Sequence, residues 1–178
     1  VLGMCTKMFN DDGTITTLDN EKKDWIHKNI INPFAELGQR TLTIAYRDHD
    51  QFNGEEWEVQ ENAEKDLILL AIVGIEDPLR DDVKNSVLQC QKSGIIVRMV
   101  TGDNLLTAKK IATDCGIFNP EKDDPKDAVM EGPVFRKLSD EELDAKIPKL
   151  RVLARSSPTD KYKLVSRLLA QGEVVAVT

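Results

Sequence analysis

Residues 95–116 read IIVRMVTGDNLLTAKKIATDCG. The apolar run up to Val100 predicts a strand, broken at once by Thr101, Gly102 and Asp103. From Leu105 the apolar residues Leu105, Ala108, Ile111, Ala112 and Cys115 recur at helical spacing, and Gly116 supplies a left-handed terminator. A strand, a polar break, a helix and a glycine make one unit of a parallel sheet, because parallel strands need a crossover between them.

The unit recurs on both sides. DLILLAIVGI (66–75) has the Leu, Ile and Val content of a strand buried on both faces, and Asp77-Pro78 ends it. LRDDVKNSVLQCQKSG (79–94) puts Val83, Val87 and Cys90 on one helical side and closes on Gly94. LRVLA (150–154) is a further strand, and SSPTDKYKLVSRLLAQG (156–172) is a helix with Ser157 as N-cap, Pro158 at N1 and Asp160 at N3. VVAVT (174–178) reads as the last strand. In such sheets reactive groups collect at the carboxyl ends of strands, beside helix N-termini. That rule singles out Asp77, the Thr101-Gly102-Asp103 turn, Arg155 with Ser156 and Ser157, and Thr178. Between Phe118 and Pro148 the pattern lapses into the charged NPEKDDPKD, followed by a short helix in SDEELDAKI with a Ser139–Glu142 capping box. This stretch reads as a variable surface excursion.

The first 60 or so residues are built otherwise. NDDGT (10–14) is a turn, and an amphipathic helix carrying Trp25, Ile26, Ile30 and Phe34 spans Asp19 to Leu37, kinked or broken at Asn32-Pro33 and ended by Gly38. RTLTIAYRD (40–48) alternates as a strand of an antiparallel sheet with one face on a core. A polar stretch, 49–65, precedes the strand at 66. The expected division is residues 1–75 and 76–178.

Composition narrows the class. An apolar fraction of 40% and a charged fraction of 31% fit a folded chain. The net charge of −7, with basic residues interspersed among acidic ones, argues against nucleic acid as a partner. The longest apolar run, Leu67 to Ile75, is far short of the roughly 20 residues that span a bilayer. No signal peptide is visible, and both ends look cut from a longer chain. Cys5, Cys90 and Cys115 lack CxxC spacing and read as free, mostly buried thiols in a reducing compartment. His27 and His49 have no neighbouring ligand, so no metal site is expected.

Taken alone, Thr101-Gly102-Asp103 has a plain reading: Gly102 permits the turn, and Asp103 or Asn104 caps the helix. The alternative is that the Thr101 hydroxyl and the backbone N–H groups beside it face a phosphoryl oxygen. Lys161 sits in the first turn of its helix, where the dipole disfavours a cation, so it points into solvent or meets an anion. Arg155 could pair with an acidic neighbour or touch a ligand, and Arg40 is by default a charge on a sheet edge. Neither GxGxxG nor GxxxxGK[ST] occurs, so neither a dinucleotide fold nor a P-loop is supported.

The succession VGIEDPLR, VRMVTGDNLLTAKKIATDCGI, LARSSPTDKYKLV and VVAVT, with RTLTIAYRD upstream, resembles the cytoplasmic headpiece of P-type cation pumps. The wording around each motif is similar to that of the plasma-membrane-type calcium pumps. The resemblance implies an α/β chain: a partial phosphorylation (P) domain of haloacid-dehalogenase-like Rossmannoid fold, preceded by part of an α+β nucleotide-binding (N) domain. It implies transfer of the γ-phosphoryl of MgATP to an aspartate in a DKTGT motif, coupled to calcium export. Carried over by motif, Thr101 contacts the phosphoryl group and Lys161 neutralises its charge, both catalytic. Gly102 and Asp103 line the nucleotide, Arg40 reaches the ATP phosphates, and Arg155 lies near the nucleotide. Asp77, Pro78 and Arg80 match a DPPR-type hinge, with Leu79 in place of its second proline.

No DKTGT occurs among the 178 residues, so the chain alone is expected not to hydrolyse ATP. A KGA-type lysine would precede Val1, and Thr178 would open TGDGxND, whose aspartates complete the magnesium site. The implied partners are ATP, the actuator and transmembrane domains of the same pump, and calmodulin through a region not present. The implied location is the cytosolic face of a plasma or vacuolar membrane. Two other readings fit less of the chain. One is a nucleotide-binding or regulatory module without catalysis; the other is a soluble dehalogenase-like phosphatase, which would need a DxDx[TV] motif.

Overall fold

A computed structural model of the chain describes residues 1–48 and 64–177. His49, Thr178 and most of the polar stretch 49–65 therefore lie outside the described residues. The chain divides into two compact units, residues 1–34 with 39–76 and residues 35–38 with 77–178.

The first unit starts with the hairpin β1 (Cys5–Phe9) and β2 (Ile15–Thr17). Its turn closes because the Asn10 and Thr14 backbones pair, Gly13 adopts φ +82°, and the Asp12 carboxylate accepts from both the N–H and the hydroxyl of Thr14. Helix α1 (Asn20–Ile26) is capped by Asp19, which accepts from the Lys22 N–H at 2.9 Å. A π-helical turn, His27–Ile31, leads into α2 (Asn32–Glu36). The expected break at Asn32-Pro33 is thus a widened turn: Pro33 has no N–H to give, and the Asn32 N–H reaches back to the His27 carbonyl. Ile26 is buried and Trp25 is 59% exposed, so Trp25 does not share the apolar face expected of it. Consecutive helical residues point about 100° apart, and only one of the two can face the sheet.

Two longer strands, β3 (Arg40–Tyr46) and β4 (Leu67–Ile75), complete a sheet of order β2-β1-β4-β3. β4 runs parallel to β1 and antiparallel to β3. β3 alternates in exposure, but in the phase opposite to the one expected: Leu42 and Ile44 are exposed, at 52% and 41%, and Thr41 and Thr43 are the more covered residues. β4 corrects the reading of DLILLAIVGI as a strand of the parallel sheet buried on both faces. It lies in the mixed sheet, and Leu70, Val73 and Ile75 are exposed. Leu2, Cys5, Leu18, Ile26 and Leu69 form this unit's core.

The second unit runs α3 (Val83–Lys92), β5 (Met99–Val100), α4 (Leu105–Asp114), α5 (Pro125–Ala128), β6 (Val129–Glu131), α6 (Gly132–Phe135), α7 (Asp140–Lys146), β7 (Val152–Ala154) and α8 (Pro158–Ala170). Its sheet has the order β5-β7-β6, every pair parallel. β7 is central and wholly buried. Val152 and Ala154 pack with Val87, Ala108, Ala112 and Phe118, while Leu153 packs with Phe135, Leu143, Leu164 and Leu168. Alternate residues of one strand thus serve two cores, which is how a sheet covered on both faces is built.

Three expectations fail in this unit. Only Met99 and Val100 of IIVRMV form a ladder, and Ile95 and Ile96 are exposed. Residues 118–148 are no surface excursion: they supply edge strand β6 and the buried Phe118, Met130, Phe135, Leu143 and Ile147. Their apolar residues come in runs too short to show periodicity between charged neighbours. Among the described residues, 173–177 make no ladder; Val174 is 99% exposed, and Val175 only packs on the second core. A β-rich run becomes a strand only where a neighbouring edge takes its hydrogen bonds. No described helix is long and apolar enough to cross a membrane.

Candidate functional site

The carboxyl ends of β5 and β7 are tied together by backbone bonds, and the end of β6 joins them through side-chain and steric contacts. After β5 the chain turns through Thr101-Gly102-Asp103, and Asn104 caps α4 by accepting from the Thr107 N–H at 3.0 Å. The Thr101 hydroxyl donates to the Asp103 carboxylate at 2.7 Å and accepts from the Asp103 N–H at 3.2 Å, which fixes the turn from inside. After β7, the Ser156 N–H donates to the Thr101 carbonyl at 3.0 Å and the Arg155 N–H to the Asp103 carbonyl at 2.8 Å. These two bonds stitch the first strand–helix junction to the second.

Arg155 makes the stitch at φ +47°, a left-handed conformation uncommon for a residue with a side chain. Its guanidinium is 60% exposed, with Nε 3.5 Å from the Glu131 carboxylate at the end of β6. Next to Glu131, a Cβ on Gly132 would stand 2.5 Å from the Arg155 carbonyl oxygen and 2.8 Å from the Asp160 carboxylate. Here a glycine is sterically required. Gly102 contrasts with it: its φ is not positive and a Cβ there would meet open space, so the turn does not need glycine as expected.

At the second junction Ser157 caps α8 in a reciprocal box with Asp160. The Asp160 side chain is 2% exposed and receives both Nε and Nη2 of Arg136, at 2.8 and 2.9 Å, besides the Ser157 N–H at 2.8 Å. Burial pushes the Asp160 carboxyl up, but the bonds from Arg136 and Ser157 outweigh it and hold the group below the usual carboxylate range. Lys161 follows, half-buried, its N–H on the Ser157 carbonyl, and among the described residues its ammonium has no hydrogen bond or ion pair. The helix dipole disfavours a cation in this first turn, and no internal counter-ion among the described residues offsets it.

The structure thus gathers Thr101, Gly102, Asp103, Arg155 and the start of α8 with Lys161 at one sheet edge. Arg40 opens β3 of the first unit and is exposed. Asp77, Pro78 and Arg80 are exposed in the irregular segment after β4, a strand of the other sheet, so Asp77 does not share the carboxyl edge with Thr101. Sequence reasoning missed Glu131, Gly132 and Arg136, which belong to the stretch read as an excursion. The signal that could have exposed them is AVMEGP, a short apolar run ending in a glycine. Among the described residues no three carboxylate, thiol or imidazole groups converge to hold a metal.

Residues 1–82 match the family model described as P-type ATPase, cytoplasmic domain N. All 178 residues align at 48% identity with the Calcium-transporting ATPase PAT1 of Dictyostelium discoideum. Both similarities are to P-type ATPases. It is also 42% identical to the Plasma membrane calcium-transporting ATPase 3 of Rattus norvegicus and 44% identical to the plasma membrane-type Calcium-transporting ATPase 10 of Arabidopsis thaliana, again over its full length. The chain spans only 15% to 17% of the length of these relatives. The P-type match in residues 1–82 ends six residues past the first compact unit, which stops at Glu76.

Proposed function

We propose that the chain is the ATP-handling segment of a calcium-transporting P-type ATPase. The first unit acts as the C-terminal part of its nucleotide-binding domain. The second acts as part of its dehalogenase-like phosphorylation domain, on the cytosolic face of a membrane. The observation that carries this reading is the stitched pair of strand–helix junctions, where the Thr101 turn and the Lys161 cation meet one sheet edge.

In this reading Lys161 supplies charge to a phosphoryl group, and Thr101 supplies a hydroxyl after releasing Asp103. The exposed Gly102 leaves the approach to the turn free of a side chain. A hydroxyl, a cation and backbone donors suit a group with anionic equatorial oxygens. Arg155 and Asp103 line the nucleotide side, and within the first unit Arg40 is the residue assigned to the ATP phosphates. Asp77, Pro78 and Arg80 serve as the link that lets one unit move on the other. Magnesium, bound with ATP, would neutralise phosphate charge. The carboxylate of Asp103 is the group at this turn chemically suited to face it, and further ligands must come from outside the described residues. Actuator and transmembrane domains, and calmodulin, are the partners this reading assigns to the longer pump.

Replacing the aligned segment of the Dictyostelium relative with residues 1–178 tests the reading. The expected result is calcium-dependent ATP hydrolysis by the chimera and its loss on Lys161→Ala. A folded chimera without calcium-dependent turnover, or one indifferent to Lys161→Ala, would overturn it.

A further inference from the structure

Resting on that reading of the site, we infer that Arg136 and Asp160 are positioning residues, which hold Lys161 at the phosphoryl site and reserve its charge for an outside anion. Neither touches the reacting group; both act through the first turn of α8.

The geometry is specific. The guanidinium of Arg136 meets the Asp160 carboxylate at two points, 2.8 and 2.9 Å, from a segment 24 residues upstream. Two parallel bonds fix a plane as well as a distance, which one ammonium could not do. The carboxylate is almost fully enclosed, at 2% exposure, while the Arg136 side chain is 47% exposed. Asp160 Oδ2 also accepts from the Ser157 N–H. Both oxygens of Asp160 are thus held by Arg136 and the helix cap, and Lys161, the next residue, has no internal counter-ion among the described residues.

The pair also ties the helix to a strand end. Arg136 follows α6, which starts at Gly132 directly after β6, and the α-carbon of Gly132 lies against both the Arg155 carbonyl and the Asp160 carboxylate. Arg155 in turn gives its N–H to the Asp103 carbonyl. One chain of contacts thus leads from Arg136 through Asp160 and Gly132 to Arg155 and the Thr101 turn. A shift of Asp160 moves the two halves of the site relative to each other.

The test titrates the isotope-labelled 178-residue chain with inorganic phosphate and follows the amides of Thr101, Gly102 and Lys161 by NMR. Wild type is expected to shift all three with one dissociation constant. Arg136→Met is expected to raise that constant roughly tenfold, because a misplaced charge loses its fit to the anion. Arg136→Lys separates positioning from folding. It restores the charge and most of the thermal stability, but not the two-point geometry, so the phosphate response should remain weakened. Amide exchange at Ser157, Asp160 and Lys161 shows in each variant whether the first turn is still formed. Wild-type phosphate affinity in both variants would overturn the inference while leaving the proposed function standing. An absent phosphate response in wild type would remove both.

Discussion

The two helix starts that meet at the sheet edge solve the same problem by different means. α4 begins with Asn104 alone, a neutral cap on an open turn whose glycine meets nothing. α8 begins with a capping box, an enclosed carboxylate, a bidentate arginine and a glycine pressed against backbone. The first junction is left accessible, and the second is over-determined. An over-determined junction is what a fixed cation needs, since Lys161 sits where the helix dipole works against it. An accessible one is what a ligand-facing turn needs.

Substitutions should expose that asymmetry. The largest effect is expected from Gly132→Ala, whose Cβ would lie 2.5 Å from the backbone oxygen of Arg155. Overpacking of this kind costs about 1–3 kcal/mol or more, read as loss of amide-exchange protection in β7. Gly102→Ala, with open space around it, should stay within about 0.5 kcal/mol. Equal costs at the two glycines would break the comparison.

Next in size is Arg136→Met, which strips a nearly enclosed carboxylate of its charged partner. The loss should fall between those at Gly132 and Asn104, because Arg136 is half-exposed and water screens part of the pair. Asn104→Ala at the other junction removes only a cap, about 1 kcal/mol by denaturant unfolding of the second unit. A larger cost at Asn104 than at Arg136 would reverse the ranking.

The smallest effect is one of pH. The folded Asp160 carboxyl lies below the usual range, so the stability it contributes is fully present above the unfolded value near 3.9 and is lost as pH falls through the depressed folded value. Between about pH 7 and 5 the pair should add no slope to the stability curve. Loss of α8 protection already in that interval would show that the pair does not hold the charge.

How much of this was legible depended on run length. α4 and α8 have side-chain N-caps, α3 has its glycine terminator, and all three show about three turns of pattern, so the sequence predicts each of them. Ser139 and Ser157 behave as the N-caps expected from their spacing. The strands of the second unit are two or three residues long, below the length at which alternation can be seen, which is why β6 was hidden inside a charged stretch. β4 misled in the opposite way. Nine residues, seven of them Leu, Ile or Val, looked doubly buried, yet sheet membership depends on partners distant in sequence. Within the site, Thr101 and Lys161 follow from strand–helix junctions. Arg136 and Gly132 do not, because the bond from Arg136 to Asp160 spans 24 residues and no local pattern announces it.

The central claim is that the Thr101 turn and Lys161 form one anion site. Titrating inorganic phosphate into the labelled chain and into Lys161→Ala tests it most directly. The account predicts that Thr101, Gly102 and Lys161 shift together on one binding curve in wild type, and that the Thr101 response disappears with the lysine. A Thr101 response that survives unchanged in Lys161→Ala would contradict it.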